Sequence, residues 1–217
     1  MIFFLFLISF SSAAIYGLDM CTVHSVSSLQ CFIEAGFTFT IPRCWCSTGE
    51  WDSGCVQSVQ NSHDAGMSRS DVYFFPCFSC GNVAGQVSTF WNTAIAYQMQ
   101  INWVWFDIEG EWSSDYSTNI WFYEEMIGQA RAIGFYHGIY VNWNYYHYFF
   151  GYDYTFPYAY DTPLWYAHYD WVDSFDDFEP FGGWTTPAIK QYAGNVDTLC
   201  NGIVDFNYMA TNLDGYL

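Results

Sequence analysis

The sequence predicts a single α/β domain, built as an irregular (β/α) barrel whose helices become short in the second half. Strand-like and helix-like segments alternate through the first half, which is typical of a parallel sheet with crossover helices. Eight strand candidates follow one another, the number that closes such a barrel. The 217 residues suffice for one domain with its own core. A doubly wound open sheet is the second possibility, but no Gly-rich phosphate loop supports it.

The first half contains four strand–helix pairs. Strands are predicted at 15–20, 37–42, 71–76 and 103–109, and helices at 27–35, 56–65, 86–97 and 118–133. Gly134 ends the last of these helices, because glycine readily adopts the left-handed cap conformation. In the second half the helical signal weakens. Four further strands are predicted at 138–142, 164–169, 188–192 and 202–208.

The charge balance excludes one class of partner and indicates a compartment. The chain has 22 Asp and Glu but 4 Lys and Arg, a formal net charge of −18. Nucleic-acid binding needs a basic surface, so no nucleic-acid partner is expected. An anionic bacterial surface would also repel this protein at neutral pH, and less so near pH ~4–5, where carboxyl groups approach their reference pKa values. We therefore expect an acidic lysosomal or phagosomal lumen, or an acidic secretion.

The N-terminus and the cysteines indicate a secretory protein. Residues 1–14 form an apolar block that ends in small residues, which predicts a signal peptide cleaved near Ala14 and a mature domain at 15–217. No membrane contact is expected after cleavage, and a monomer is expected. Eight cysteines suggest disulfides, although spacing alone does not assign the pairs. The spacing of Cys77 and Cys80 also matches half of a zinc or redox motif, but the His residues are scattered, and we expect no metal or cofactor.

The strand at 103–109 carries the clearest functional signal. Asp107 and Glu109 point to the same face of this strand, together with Trp103 and Trp105. Two adjacent carboxylates are costly to desolvate, so folding alone gives no reason for them. Barrel enzymes place their active sites at the carboxyl ends of strands. The pair is therefore predicted to act in acid–base catalysis, because the cleavage of a glycosidic bond uses two carboxyl groups.

Two more acidic residues are expected at the same end of the barrel. Asp19 ends the first predicted strand and Asp205 lies in the last, and these strands are neighbours in a closed barrel. Each acid taken alone is equally explained as a solvated charge in so acidic a chain. Further side chains at strand ends are predicted substrate contacts, although barrel packing explains the aromatic ones equally well. They are Tyr140, Asn142, Trp165, Tyr169, Gln191 and Asn207.

Six short motifs resemble one known family when they are taken in order. They are Gly17-Leu18-Asp19, Asp107-Ile108-Glu109, Gly138-Ile139-Tyr140, residues 164–169, Gln191-Tyr192 and residues 204–208. Over nearly the whole mature chain the sequence resembles the glycoside hydrolase family 25 lysozymes. The resemblance implies a muramidase that cleaves the β-1,4 bond between N-acetylmuramic acid and N-acetylglucosamine in bacterial peptidoglycan, in defence or digestion. Cys21 and Lys190 stand where the family often has Ser and Trp.

The resemblance also implies a role for each acid. Glu109 matches the acid/base, Asp107 the partner that supports the substrate's 2-acetamido group, and Asp19 and Asp205 the supporting acids. The residues agree with this division, because Glu109 lies nearer the barrel mouth. We expect its pKa to be raised by aromatic surroundings and by the charge of Asp107. Asp107 is expected to accept a hydrogen bond from a neighbouring strand and to stay ionised. Spacing does not decide between a protein nucleophile and attack by the acetamide.

Two rival functions remain open. A chitinase-like hydrolase also uses an acidic strand motif, but it would carry further Asp residues where Trp103 and Trp105 stand. A catalytically dead peptidoglycan-binding lectin would be expected to have lost Asp107 or Glu109, and both are present.

Overall fold

A computed structural model describes residues 14–213, which contain ten strands and five helices. The strands are β1 Ile15–Met20, β2 Phe37–Cys46, β3 Glu50–Trp51, β4 Arg69–Ser70, β5 Val72–Phe74, β6 Val104–Asp107, β7 His137–Tyr140, β8 Leu164–Ala167, β9 Ile189–Thr198 and β10 Gly202–Met209. The helices are α1 Val26–Glu34, α2 Cys55–Ala65, α3 Val83–Ala96, α4 Tyr116–Ile133 and α5 Trp143–Phe150. Apart from Ala14, the predicted signal peptide lies outside the described residues.

Eight of the strands close into a barrel, as the sequence predicts. β1 pairs with β2 on one side and with β10 on the other, which completes the ring, while β3 and β4 are short additions to β2. The barrel is mixed rather than wholly parallel, because β10 runs antiparallel to both β1 and β9. The tight connection between β9 and β10 explains the reversal, since a parallel crossover needs a dozen or more residues.

The four predicted helices are present as α1 to α4, and α4 ends at Gly134 in the left-handed conformation. The fifth, α5, lies in the aromatic run after β7, where the helical signal is weak. Asn142 caps its N-terminus. Between β8 and β9, residues 168–188 contain no helix, which agrees with the predicted shortening of the helices.

Two apolar layers follow from the alternation along residues 103–109. Val104, Phe106 and Ile108 belong to the layer between the barrel and its helices. Trp103 and Trp105 belong to the barrel interior. The indole nitrogen of Trp105 donates to buried Asp71 over 2.8 Å, and Asp71 forms an ion pair with Arg69. The two Trp residues are therefore the packed floor below the acids.

Three disulfides form: Cys31–Cys200, Cys44–Cys55 and Cys77–Cys80. The first joins α1 to the end of the β9–β10 hairpin, across 169 residues of sequence. The close spacing of Cys77 and Cys80 thus reflects a disulfide and not half of a zinc site. Cys21 and Cys46 are unpaired. Among residues 14–213, none of the helices has the length and apolarity that crossing a bilayer requires.

Candidate active site

All four predicted acids line one cavity of about 210 Å³ at the mouth of the barrel. Asp107 is the last residue of β6 and Glu109 follows two positions later, while Asp19 is next to last in β1. Asp205 lies directly opposite Asp19 in the strand register. It reaches this mouth because β10 runs antiparallel and begins at the end where its neighbours finish.

Gln191, on β9, is the central hydrogen-bonding residue of the site. Its amide nitrogen donates to Asp19 over 2.8 Å and to Asp205 over 3.0 Å. Its amide oxygen accepts from the hydroxyl of Tyr140 over 2.6 Å and from that of Tyr169 over 2.8 Å. Both hydrogens of the amide and both lone pairs of its oxygen are used. Gln191 therefore fixes two acids relative to two tyrosines, and it also lines the cavity.

Asn207 lies behind the cavity and not in its mouth, contrary to expectation. It is fully buried, donates to Asp19 over 2.8 Å and accepts from the indole nitrogen of Trp165 over 2.8 Å. β10 turns this side chain inward below Asp19, so Asn207 orients an acid instead of reaching a ligand. Trp165 is buried too, but it lines the cavity and packs edge-on against Tyr140.

A larger cleft of about 520 Å³ opens beside this cavity. Glu109, Tyr140 and Tyr169 line both spaces, so Glu109 stands at their junction. Asn142 borders the cleft, but it lies beyond β7 and its side-chain oxygen caps α5 by accepting from the amide of Tyr145 over 2.7 Å. Its expected role as a substrate contact is therefore limited to its side-chain amide nitrogen.

Most residues of the cleft wall are not among the predicted substrate contacts. One side is formed by Trp143 and Tyr145 at the start of α5, and the other by His168, Asp177 and Glu179 after β8. The aromatic run at 143–150 was the one available signal for the first side. The second side belongs to an irregular connection, for which periodicity offers no prediction.

Asp107 departs from its expected state. It is only 5% exposed, and burial, followed by the charges of Glu109 and Asp19, raises its pKa well above the ordinary value. Among the described residues, no group donates to its buried Oδ1 atom. The expected hydrogen bond to Asp107 is therefore absent among the described residues. Since no donor compensates for its desolvation, the carboxyl group keeps its proton to higher pH than expected.

Glu109 has a raised pKa, as predicted, but part of the cause differs. Burial contributes most and the charge of Asp205 comes next, whereas the sequence suggested Asp107. Burial also raises the pKa of Asp205. Burial and the charge of Asp205 raise the pKa of Asp19 well above its ordinary value. The site thus retains protons to higher pH than four solvated carboxyl groups would.

The position of Asp205 depends on a β-bulge, which is not among the elements predicted from the sequence. Two residues of β9, Gly194 and Asn195, stand opposite Asp205 alone. Asn195 has a positive φ of 54°, and its backbone amide donates to the Asp205 carboxylate. Such bulges re-aim side chains near active sites. The Gly-Asn pair was a usable signal, since both residues tolerate positive φ.

One group of metal-type ligands exists among the described residues, namely His168, Asp170 and Asp177. The ammonium of Lys190 lies 2.8 Å from a carboxylate oxygen of each of these two Asp residues. A cation of the protein already compensates their charge, so the group is an ion-pair cluster. Nothing in its geometry calls for a metal.

Comparison with known proteins identifies the family. The family model described as "Lysozyme-like protein 1" matches residues 10–192. The protein named probable GH family 25 lysozyme 2 of Dictyostelium discoideum is 40% identical over 198 residues, which cover 90% of this chain and 91% of that relative. The chain belongs to the glycoside hydrolase family 25 lysozymes. The resemblance noted in the sequence is thereby confirmed, and with it the expectation of a glycoside hydrolase.

A further relative and a solved structure agree with this chain in extent and in fold. Lysozyme-like protein 5 of Caenorhabditis elegans is 36% identical over 201 residues, covering 91% of this chain and 93% of the relative. The solved structure of the bacterial lysozyme from Streptomyces coelicolor superposes with a TM-score of 0.75 at 16% identity, covering 94% of this chain and 96% of that one. This last likeness confirms the barrel fold.

Proposed function

We propose that this protein is a lysozyme that hydrolyses the β-1,4 bond between N-acetylmuramic acid and N-acetylglucosamine in bacterial peptidoglycan. One observation carries the proposal: in a family 25 chain, Asp107 and Glu109 line a single cavity beside a cleft large enough for sugar rings. The relatives named as lysozymes at up to 40% identity support the same activity.

Glu109 is the proton donor in this proposal. It stands where the small cavity meets the cleft, so a glycosidic oxygen that bridges the two spaces would lie beside it. Its raised pKa keeps the carboxyl group protonated to higher pH than an ordinary Glu, as a general acid requires. After the leaving group departs, the Glu109 carboxylate accepts a proton from a water molecule whose oxygen bonds to the anomeric carbon. The bond from that carbon to the acetamide oxygen breaks, which restores the acetamide and the protonated Glu109.

Asp107 supports the acetamido group of the substrate. Its buried Oδ1 atom has no partner among the described residues, and a buried orphan acceptor in a cavity calls for an explanation. An acetamide N–H of the bound sugar is a donor of the required kind. Accepting this hydrogen bond orients the acetamide oxygen for attack on the anomeric carbon. The bond also lowers the pKa of Asp107 from its raised value in the free protein, so the carboxyl group releases its proton to solvent, and the carboxylate offsets the positive charge that develops on the ring formed.

Asp19 and Asp205 act as supporting acids. Gln191 holds both carboxylates, and Asn207 holds Asp19 from behind. Their shared burial makes protons costly to remove from the site. They form a fixed part of the cavity around Asp107 and Glu109, and they add groups that keep their protons to higher pH.

The cleft suits a glycan chain. Tyr140, Trp143, Tyr145 and Tyr169 line it, and aromatic faces pack against the flat apolar faces of pyranose rings while hydroxyl groups meet polar edges. Trp143 is 38% exposed, which leaves part of its ring free for such stacking.

The two rival functions are separated by products. Purified protein is incubated with bacterial walls and with chitin, and new reducing ends are counted and assigned to muramic acid or glucosamine. A lysozyme releases muramic acid ends from walls, a chitinase-like enzyme releases glucosamine ends from chitin, and a lectin binds walls without releasing ends. Release from chitin alone, or from neither polymer, would overturn the proposal.

Replacement of Glu109 tests the mechanism. Glu109→Gln removes the transferable proton at nearly constant shape, so kcat on walls should fall about 10²–10⁴-fold, the usual contribution of a general acid. Glu111→Gln is the matched control, since Glu111 is exposed and lines neither cavity. In the wild type, activity should decline as pH rises through the raised pKa of Glu109. A Glu109→Gln enzyme with normal turnover, or an optimum well above neutrality, would refute the assignment.

We infer that the protein is secreted or resides in a lysosomal or phagosomal lumen. Its substrate there is bacterial peptidoglycan, which it degrades in defence or digestion. Three disulfides favour an oxidising compartment. The predicted cleavable signal peptide at 1–14, mature domain at 15–217 and monomeric state complete this proposal.

A further inference from the structure

The connection between β8 and β9 forms one wall of the cleft without a helix to hold it. Residues 168–188 are irregular, yet His168, Asp177 and Glu179 of this connection line the cleft opposite the start of α5. Long irregular connections are usually mobile unless they are tied to the body of the domain. A wall that must bind substrate therefore needs a fastening point.

Lys190 supplies that point. It lies on β9 next to Tyr166 of β8, on the outer side of the barrel, and its side chain is fully buried. Its ammonium lies 2.8 Å from Asp170 and 2.8 Å from Asp177. A buried ammonium is tolerated only when it is well paired, so it strongly favours the arrangement that brings both carboxylates over it.

Two further donors complete the pairing of Asp177. The hydroxyl of Tyr166 donates to one carboxylate oxygen over 2.8 Å, and the imidazole of His168 bonds to the other. Asp170 also accepts from the backbone amide of Val172 over 2.9 Å. The connection is thus pinned at two points, Asp170 and Asp177, to one cation that belongs to the rigid barrel.

We propose that Lys190 is a positioning residue for the substrate cleft: by holding Asp170 and Asp177 it fixes the wall that carries Asp177 and Glu179 beside Glu109. The inference rests on the proposed function in so far as the ligand of the cleft is a glycan. Lys190 touches no substrate itself, because its side chain is buried behind the wall.

The fastening persists in acid. Burial tends to raise the pKa of Asp177, but hydrogen bonds from His168, Lys190 and Tyr166 outweigh it and lower the pKa to about 2. Burial also tends to raise the pKa of Asp170, but the hydrogen bonds from Lys190 and from the backbone of Val172, together with the charge of Lys190, outweigh it and lower this pKa. Both carboxylates therefore stay ionised to lower pH than ordinary Asp residues, whereas Glu109 keeps its proton to higher pH than an ordinary Glu.

Lys190→Met tests the inference. It removes the cation and keeps much of the apolar stem, so the wall should loosen while the acids at the barrel mouth remain in place. We expect KM for soluble peptidoglycan chains to rise roughly tenfold while kcat stays within about threefold, because a loosened wall weakens binding and leaves proton transfer intact. Hydrogen exchange at the amide of Phe178, which bonds to Phe175 inside the connection, should accelerate.

Two further variants guard against a general folding defect. Arg131→Met breaks another ion pair, Arg131–Asp161, which is about one-third exposed and whose residues line neither cavity; it should change neither KM nor exchange at Phe178. Asp170→Asn weakens the fastening without altering a residue that lines the cleft, and should shift both readouts in the same direction as Lys190→Met, by a smaller factor.

The outcomes separate this inference from the proposed function. Faster exchange at Phe178 with raised KM in Lys190→Met, and not in Arg131→Met, supports the fastening. Unchanged exchange and KM, or a loss confined to kcat, overturns it. Failure of the wild type to cleave walls would refute the lysozyme proposal, and the exchange measurement, which needs no turnover, would still decide whether Lys190 holds the wall.

Discussion

Asp107→Asn isolates the effect of burying an uncompensated carboxyl group. Asp107 is 5% exposed, and its Oδ1 atom has no partner among the described residues. Its pKa is raised from 3.8, so the folded protein binds a proton that the unfolded chain releases at lower pH. The stability contributed by this proton is complete below the unfolded pKa and is lost as pH rises through the folded one.

The size of the effect follows from proton linkage. Within that window one proton changes the free energy of unfolding by at most about 1.4 kcal/mol per pH unit. Asn cannot titrate, so the free energy of unfolding of the variant should lack this part of the pH dependence. Relative to the wild type, the stability of the variant should rise by the same amount per pH unit. For a chain of this size about 1 kcal/mol corresponds to roughly 2–4 °C in Tm. The gap in Tm should therefore widen by up to about 3–6 °C per pH unit between pH ~4 and the folded pKa of Asp107.

The assay is a series of thermal melts from pH 4 to pH 7.5 at constant ionic strength. Asp153→Asn, at an exposed position outside both cavities, is the matched control and should follow the wild-type curve. Activity of Asp107→Asn should also fall, since an amide offers no charge to the substrate's acetamido group. Parallel plots of Tm against pH for the wild type and Asp107→Asn would refute the claim that burial raises the pKa of Asp107.

Two further predictions concern the framework of the site. Gln191→Leu removes the four hydrogen bonds to Asp19, Asp205, Tyr140 and Tyr169. Urea titration should show that the free energy of unfolding falls by about 2–4 kcal/mol. An unchanged midpoint would contradict the central role of Gln191. Cys31→Ser with Cys200→Ser opens a link across 169 residues and should cost about 2–5 kcal/mol in the free energy of unfolding, measured by denaturant titration against the wild-type protein. Under reducing conditions the wild type loses the same disulfide, so the difference should vanish.

Much of the fold was predictable because it depends on local pattern. The alternation along 103–109 placed Val104, Phe106 and Ile108 toward the helices and the two Trp residues inside the barrel, and both assignments hold. Gly134 ended its helix as expected. Asp19 and Asp205 meet because the first and last strands must be neighbours in a closed barrel.

The errors arose where a side chain's role depends on partners distant in sequence. Asn207 was expected to face the ligand, but its partners are Asp19 and Trp165, from two other strands. Asp107 was expected to find a hydrogen-bond donor on a neighbouring strand, and none of the described residues supplies one. Lys190 attracted notice only as a departure from the family pattern, since its partners lie on an irregular connection.

The sequence by itself determined the barrel, the identity of its acids and the family, because hydrophobic periodicity and short strand motifs are properties of neighbouring residues. Only the tertiary structure decided which acids hold protons, which polar residues support the site and which face the ligand. Desolvation and hydrogen bonding depend on what surrounds a group in space. At this barrel mouth those surroundings come from β1, β6, β9 and β10, which are distant in the chain and meet when the barrel closes.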